Sequence, residues 1–185
     1  LQVLSATDDQ EVQATDLTGT LVTSDKPIQV LGGHNCIFIP TDVGYCDHLE
    51  ESMLPVETLS NEYVITPPLN SAGFPDLQFV RVVATVASPT LSYEPSQGAA
   101  PTFLANAGDY VEIAQTVADF QLSSDKPVLV AQYMRGQGDF GNDGDPGMTL
   151  AVATAQYRES YLFHAPTSYA SNYVNVTAPV GTTIT

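Results

Sequence analysis

Ser24-Asp25-Lys26-Pro27-Ile28-Gln29-Val30 returns, one hundred residues on, as Ser124-Asp125-Lys126-Pro127-Val128-Leu129-Val130. The offset holds without gaps on both sides: Leu4 aligns with Leu104, Asp9 with Asp109 and Leu17 with Val117. Lys26 and Lys126 are the only lysines in the chain, and both fall inside the repeated tetrapeptide. Self-similarity at a fixed offset takes precedence in fold assignment, because missing it misreads the architecture. A looser correspondence continues each unit, Glu62-Tyr63-Val64-Ile65 with Ser160-Tyr161-Leu162-Phe163 and Phe79-Val80-Arg81-Val82 with Tyr173-Val174-Asn175-Val176. The tetrapeptide reads as a structural corner. Pro27 and Pro127 fix φ ahead of a strand, and Asp25 and Asp125 can hold the turn through their carboxylates. A lysine-based active site is the alternative for Lys26 and Lys126.

Around these corners lie short alternating or β-branched runs bounded by Gly, Pro, Asn and Asp, the pattern of half-buried strands. Strands are expected near 10–15, 18–23, 28–33, 36–39, 62–66, 78–86 and 90–93. In the second unit they are expected near 101–105, 109–115, 117–122, 128–134, 148–153, 160–164, 172–178 and 181–185. Helix is scarce. From 48 to 59 a partial helical spacing of Leu49, Met53 and Leu54 is cut by Pro55, so a short helix or an irregular loop is expected there. A second short turn is expected at 154–158. The fold class is all-β: two related β-sandwich-like halves, residues 1–100 and 101–185, or one larger sandwich to which both contribute. Both ends read as mid-domain, as expected of a piece of a longer polypeptide.

The chain has 185 residues, 21 acidic side chains against five lysines and arginines, and a net charge of −16. Phosphate backbones and anionic membrane are poor partners for such a surface. No apolar run is long enough to cross a bilayer as a helix. The acidity suits calcium binding, a basic partner, or plain solubility in an exported protein, expected here as a monomer.

Cys36 and Cys46 are the two cysteines. A disulfide between them fits an exported, acidic, lysine-poor chain. A zinc pair completed by His34 and His48 is the rival, against which the spacing of the cysteines counts. Gly33-His34-Asn35-Cys36, Ile39-Pro40 and Cys46-Asp47-His48-Leu49-Glu50-Glu51 together resemble the N-terminal domain family of IgGFc-binding proteins, which also occurs in bacterial surface proteins. The resemblance continues through Ser124 to Tyr133, Gly144-Asp145-Pro146 with Met148, Gln156-Tyr157-Arg158, Tyr161, Phe163 and Ala165-Pro166. It runs on through Tyr169, Asn172 to Val176 and Ala178-Pro179. It covers most of the chain from about Thr18 and departs at 136–144, where the loop is enlarged. It implies an extracellular or cell-surface, cysteine-bridged, non-enzymatic module, here expected to be a bacterial surface member. No residue set for immunoglobulin contact can be carried over.

Asp139, Asn142, Asp143 and Asp145 lie on a loop with five glycines, ligand chemistry that suits calcium, although no glutamate stands at the twelfth position of the helical calcium loop. The competing reading is a solvated hairpin tip. No other cofactor is indicated. His34, His48 and His164 are the candidates for acid–base chemistry, and Ser52 and Ser60 lie near His48 without a nucleophile motif. Asp47 and His48 read instead as a loop anchor. Tyr133, Tyr157, Tyr161, Tyr169 and Tyr173 form either a face for a protein or glycan ligand or core positions with hydroxyls at the rim. Asn175-Val176-Thr177 fits a glycosylation acceptor and lies in an expected strand. Three functions follow in order: a binding or adhesion module, a structural spacer in a large surface protein, and a hydrolytic enzyme.

Overall fold

The computed structural model describes residues 2–3, 16–70, 72–136, 138, 145–168 and 172–185, with the side chain of Ala114 set aside. Among the described residues eight strands carry the fold: β1 (Leu31–Ile37), β2 (Asp47–Ser52), β3 (Ser60–Ile65), β4 (Gln78–Ala84), β5 (Leu91–Glu94), β6 (Tyr110–Thr116), β7 (Phe120–Met134) and β8 (Gly147–Leu150). Helix is scarce, and the 3-10 turns Val56–Thr58 and Thr154–Gln156 are examples of it. All ladders between strands are antiparallel.

β7 organises the molecule. Its first half lies between β3 and β5, with Leu122 opposite both Tyr63 and Tyr93. Its second half lies between β4 and β8, with Ala131 opposite Arg81 and Leu150. β6 then extends the sheet beyond β4. Even-numbered residues of β7 (Phe120, Leu122, Val128, Val130) turn to one core. There they meet Tyr63 and Ile65 of β3, Val80 and Val82 of β4, Leu91 and Tyr93 of β5, and Val111 and Ile113 of β6. A sheet pinned to one long strand thus folds both its arms around a single apolar interior, the arrangement a strand-rich chain needs to hide one face of each strand. The opposite face of β4 is also covered. Phe79 packs with Tyr133 and Met148 against Ile37, Ile39 and Leu49 of the β1–β2 hairpin. Residues 78–84 are therefore almost continuously buried, as strands covered on both faces are.

The jog between the halves of β7 falls at Ser124–Pro127, where the register against β3 jumps between Ser123↔Glu62 and Val128↔Ser60. The Lys126 ammonium donates to the Ala87 and Ser88 carbonyls at 2.7 and 3.0 Å. The Asp125 carboxylate accepts the Thr90 amide at 2.7 Å, and the Thr85 hydroxyl donates to the Pro127 carbonyl at 2.6 Å. These bonds tie the jog to the β4–β5 connection. From the other side Tyr63 donates its hydroxyl to the Val128 carbonyl at 2.6 Å and accepts the Ser60 amide.

The first copy of the tetrapeptide lies in other surroundings. Ser24–Pro27 is an exposed bend outside any strand, where the Lys26 amide donates to the Ser24 hydroxyl at 3.3 Å. Lys126→Met is accordingly expected to lower stability by about 1 kcal/mol, the scale of a net intramolecular hydrogen bond. Lys26→Met should leave it unchanged, and comparison of the two denaturant midpoints checks this; equal effects would contradict the assignment.

Two related halves, 1–100 and 101–185, are not confirmed by this topology, in which both stretches contribute strands to one sheet. β3, β4 and β5 precede residue 100 and β6, β7 and β8 follow it, yet all six join one sheet. The reason is physical: a 15-residue strand offers four flanks, and the segments at 60–65, 78–84 and 91–94 fill three of them. Other differences are local. The 48–59 stretch is strand β2 followed by a 3-10 turn. The runs 28–33 and 36–39 merge into β1. At 101–105 only an isolated bridge, Phe103 to Thr90, forms. Residues 18–23, 160–164, 172–178 and 181–185 form no strand among the described residues. The strand expected at 10–15 lies outside the described residues.

Candidate functional site

The β1–β2 connection is closed on itself by a disulfide between Cys36 and Cys46, whose Cα atoms are 5.0 Å apart. Inside this loop a turn is fixed by the Val43 amide bonding to the Pro40 carbonyl, and the Val43 side chain is buried. The loop rests on the segment after β7: the Gly136 amide donates to the Ile39 carbonyl at 2.7 Å. Glycine is required at that seam, because a Cβ on Gly138 would lie 2.8 Å from the Gly44 carbonyl oxygen. Tyr45, next to the second cysteine, sits at φ 67. That left-handed conformation is uncommon for a bulky residue and persists where the surroundings enforce it. Its side chain stands 59% exposed.

A third loop, 66–77, joins this end of the sheet. The Arg135 guanidinium, nearly buried, bonds to the Asp76 carboxylate at 3.1 Å and links the third loop to the segment after β7. The tip of 66–77 is organised by Asn70, whose side-chain oxygen accepts the Ala72 and Phe74 amides at 3.0 Å each. Phe74 is 67% exposed. Two aromatic side chains are thus held out to solvent by a disulfide, backbone bonds and a shielded ion pair. Exposed aromatics on rigid loops are characteristic contact anchors for protein ligands.

Beyond β4, Arg81 anchors the chain before β1 to the sheet. Its Nε and Nη2 donate to Glu112, and its Nη1 reaches Asp16 at 2.9 Å and the Thr18 hydroxyl at 2.7 Å. The guanidinium lies over the Tyr110 ring at 4.4 Å and near that of Tyr133 at 5.7 Å. Tyr110 also donates its hydroxyl to Asp16 at 3.2 Å. Burial opposes ionisation of Asp16, but the Thr18 hydroxyl and amide, the Arg81 charge and the Tyr110 hydroxyl outweigh it and hold the carboxyl below its ordinary 3.8. A carboxylate with a lowered folded-state pKa supports the fold above its unfolded value and loses that support as pH falls through the folded one. Docking of residues 16–18 is therefore expected to be complete at pH 5 and to fail only below the ordinary carboxyl range. The Tyr110 ring resonances followed by NMR from pH 6 to 2 check this, and in Asp16→Asn that transition should vanish.

The residues singled out from sequence are distributed as follows. Asp125, Lys126 and Pro127 lie at the β7 jog, while Asp25, Lys26 and Pro27 lie in the exposed bend. Asp47 opens β2 opposite Ile37, and the His48 imidazole lies 3.3 Å from Glu50, two residues along the same strand. Asp139, Asn142 and Asp143 lie outside the described residues, and Asp145 is exposed. Among the described residues no three His, Cys, Asp or Glu side chains are grouped to hold a metal ion. No helix among them is long and apolar enough to cross a membrane. A groove of about 180 Å³ is lined by Leu54, Pro55, Leu59, Tyr63, Val152 and Gln156, among others, and holds no carboxylate pair.

Sequence reasoning missed Tyr45, Phe74 and the Arg81 cluster. For Arg81 a signal existed: one cation inside the apolar run 78–84 of an acidic chain has to find carboxylates. For Tyr45 none did, since its exposure depends on how the loop is seated.

No solved structure matches the chain. The family described as "IgGFc binding protein" matches residues 1–185. A human protein named "IgGFc-binding protein" is 32% identical over 151 residues, covering 80% of this chain. The chain spans about 3% of that relative's length. On the match over its whole length, the chain belongs to the IgGFc-binding protein family.

Proposed function

We propose that this chain is an extracellular, non-enzymatic binding module that meets a protein ligand with the loop end of its sheet. The observation that carries the reading is Tyr45, exposed, in a left-handed conformation, and locked beside the Cys36–Cys46 bridge. Membership of a family named for binding a protein supports a protein ligand, and the disulfide suits an oxidising compartment. Phe74 would extend the apolar contact, and the exposed carboxylates of Asp42 and Asp145 would favour a basic rim on the partner.

The test presents the immobilised chain to an array of secreted proteins and glycans, with the immunoglobulin Fc fragment among them, with and without a calcium chelator. A protein hit weakened tenfold or more by Tyr45→Ala or Phe74→Ala supports the reading; anchor residues have effects of that size. Loss of binding in chelator would place calcium in the site. Silence across the array would favour a spacer. A hit indifferent to both substitutions would move the binding surface elsewhere.

A further inference from the structure

The first hairpin reproduces the second. Leu31↔Ser52 through His34↔Leu49 in β1–β2 run in step with Ala131↔Leu150 through Met134↔Gly147 in β7–β8. The Met53 amide donates to the Val30 carbonyl at 2.9 Å, as the Ala151 amide does to the Val130 carbonyl at 2.9 Å. A 3-10 turn follows each, Val56–Thr58 and Thr154–Gln156. Beyond the turn the Ser60 amide donates to the Tyr63 hydroxyl at 3.1 Å, and the Arg158 amide to the Tyr161 hydroxyl at 3.0 Å. Residues 158–163 are therefore the counterpart of β3, and residues 20–28, one hundred positions before 120–128, are the counterpart of the first half of β7.

The β3–β7 ladder shows what each counterpart lacks. Tyr63 and Ile65 are buried against Leu122, Phe120 and Val128, and the Tyr63 hydroxyl donates to the Val128 carbonyl at 2.6 Å. Tyr161 and Phe163 are 69% and 66% exposed, and Val22 and Ile28 are 52% and 55% exposed. Neither stretch lies in a strand. Their charges are complementary as well. In the ladder Asn61 faces the Ser124–Pro127 jog, its amide donating to the Ser124 carbonyl at 3.1 Å. The same register sets Arg158 and Glu159 against the bend that carries Asp25 and Lys26, an exposed base and acid against an exposed acid and base. Within one chain the two stretches start from opposite ends of the strand order. Asp16 and Thr18 are held by Arg81 of β4, which also binds Glu112 of β6, whereas the Thr154 hydroxyl donates to the Glu62 carbonyl of β3 at 3.4 Å. We propose that residues 158–163 pair antiparallel with residues 20–28 of a second copy, rebuilding the β3–β7 ladder between two molecules. This replaces the monomer expected from composition.

Cysteine cross-linking tests it. In the register of the ladder Val22 falls opposite Tyr161, as Leu122 does opposite Tyr63. Val22→Cys and Tyr161→Cys chains, each with the native bridge intact, are mixed at ~100 μM, in the range of weak interfaces, and oxidised mildly. A disulfide joining the two different chains is expected to exceed either same-variant product several-fold. Adding Phe163→Asn to the Tyr161→Cys chain should reduce it about tenfold, the scale of a lost anchor, while leaving the thermal midpoint of the monomer unchanged. Three results would overturn the proposal: a mixed product no more abundant than the same-variant ones, a yield indifferent to Phe163→Asn, or ready closure of the Val22→Cys/Tyr161→Cys double variant within one chain on dilution, which would make the pairing internal.

Discussion

Leu122→Ala is expected to lower the unfolding free energy by about 3–4 kcal/mol, the range for removing a fully enclosed leucine and leaving a cavity its neighbours cannot close. Leu122 is fully buried in the first half of β7, with Tyr63 of β3 and Tyr93 of β5 in register on its two sides. Both tyrosines are fixed at their hydroxyls, Tyr63 to the Val128 carbonyl and Tyr93 to the Pro101 carbonyl at 2.7 Å. Neither can swing into the space a missing isobutyl group leaves, so the loss should fall in the upper part of the range. Gln121, the exposed neighbour, provides the control: Gln121→Ala should change stability by less than about 0.5 kcal/mol. Urea denaturation reads both, with the midpoint shifting and the slope unchanged. A loss below about 1 kcal/mol for Leu122→Ala would mean that the two arms of the sheet do not share one interior.

Replacement of the bridge by Cys36→Ser/Cys46→Ser is the second large effect expected. A cross-link ten residues apart in sequence removes conformations from the unfolded chain worth about 2–3 kcal/mol by loop-closure entropy. The loss should appear as a lower denaturant midpoint. It should be matched by reduction of the wild-type protein and absent when the serine variant is treated with reductant. The functional consequence should be larger than the stability loss implies. The bridge holds Tyr45 in a conformation that a free loop would leave, so ligand capture should fall even at temperatures where the sheet remains folded. Capture that survives the double substitution with the fold intact would take the disulfide loop out of the binding surface.

The class of the fold was legible because propensity and alternation agree with tertiary context at 60–65, 78–84, 91–94, 110–116 and 128–134. What misled was the repeated tetrapeptide. Four identical residues share a local turn preference, but partners come from elsewhere in the chain. Lys126 finds the Ala87 and Ser88 carbonyls because β7 runs past the β4–β5 connection, whereas among the described residues Lys26 lies in an exposed bend outside any strand. Leu49 and Met53, four apart, suggested a helix. In the structure Leu49 is the one buried residue of β2, between exposed His48 and Glu50, a pattern too sparse to announce a strand. At 160–164 and 172–178 the strand signal is present in the residues but a strand needs a neighbour, and sequence alone does not say whether one is in reach. The site was less legible than the fold. The cysteine pairing followed from chemistry, whereas the exposure of Tyr45 and Phe74 depends on how three loops from distant parts of the chain abut.

The central claim is that one sheet, organised by β7, draws its strands from both sides of residue 100. The most direct measurement is the thermal unfolding and proton NMR dispersion of residues 101–185 produced alone. Without β3, β4 and β5 the long strand loses three of its four flanking partners and the core residues they carry, so the fragment should show no cooperative transition and a collapsed spectrum until residues 1–100 are added. A cooperative melt with dispersed resonances from 101–185 by itself would contradict the account.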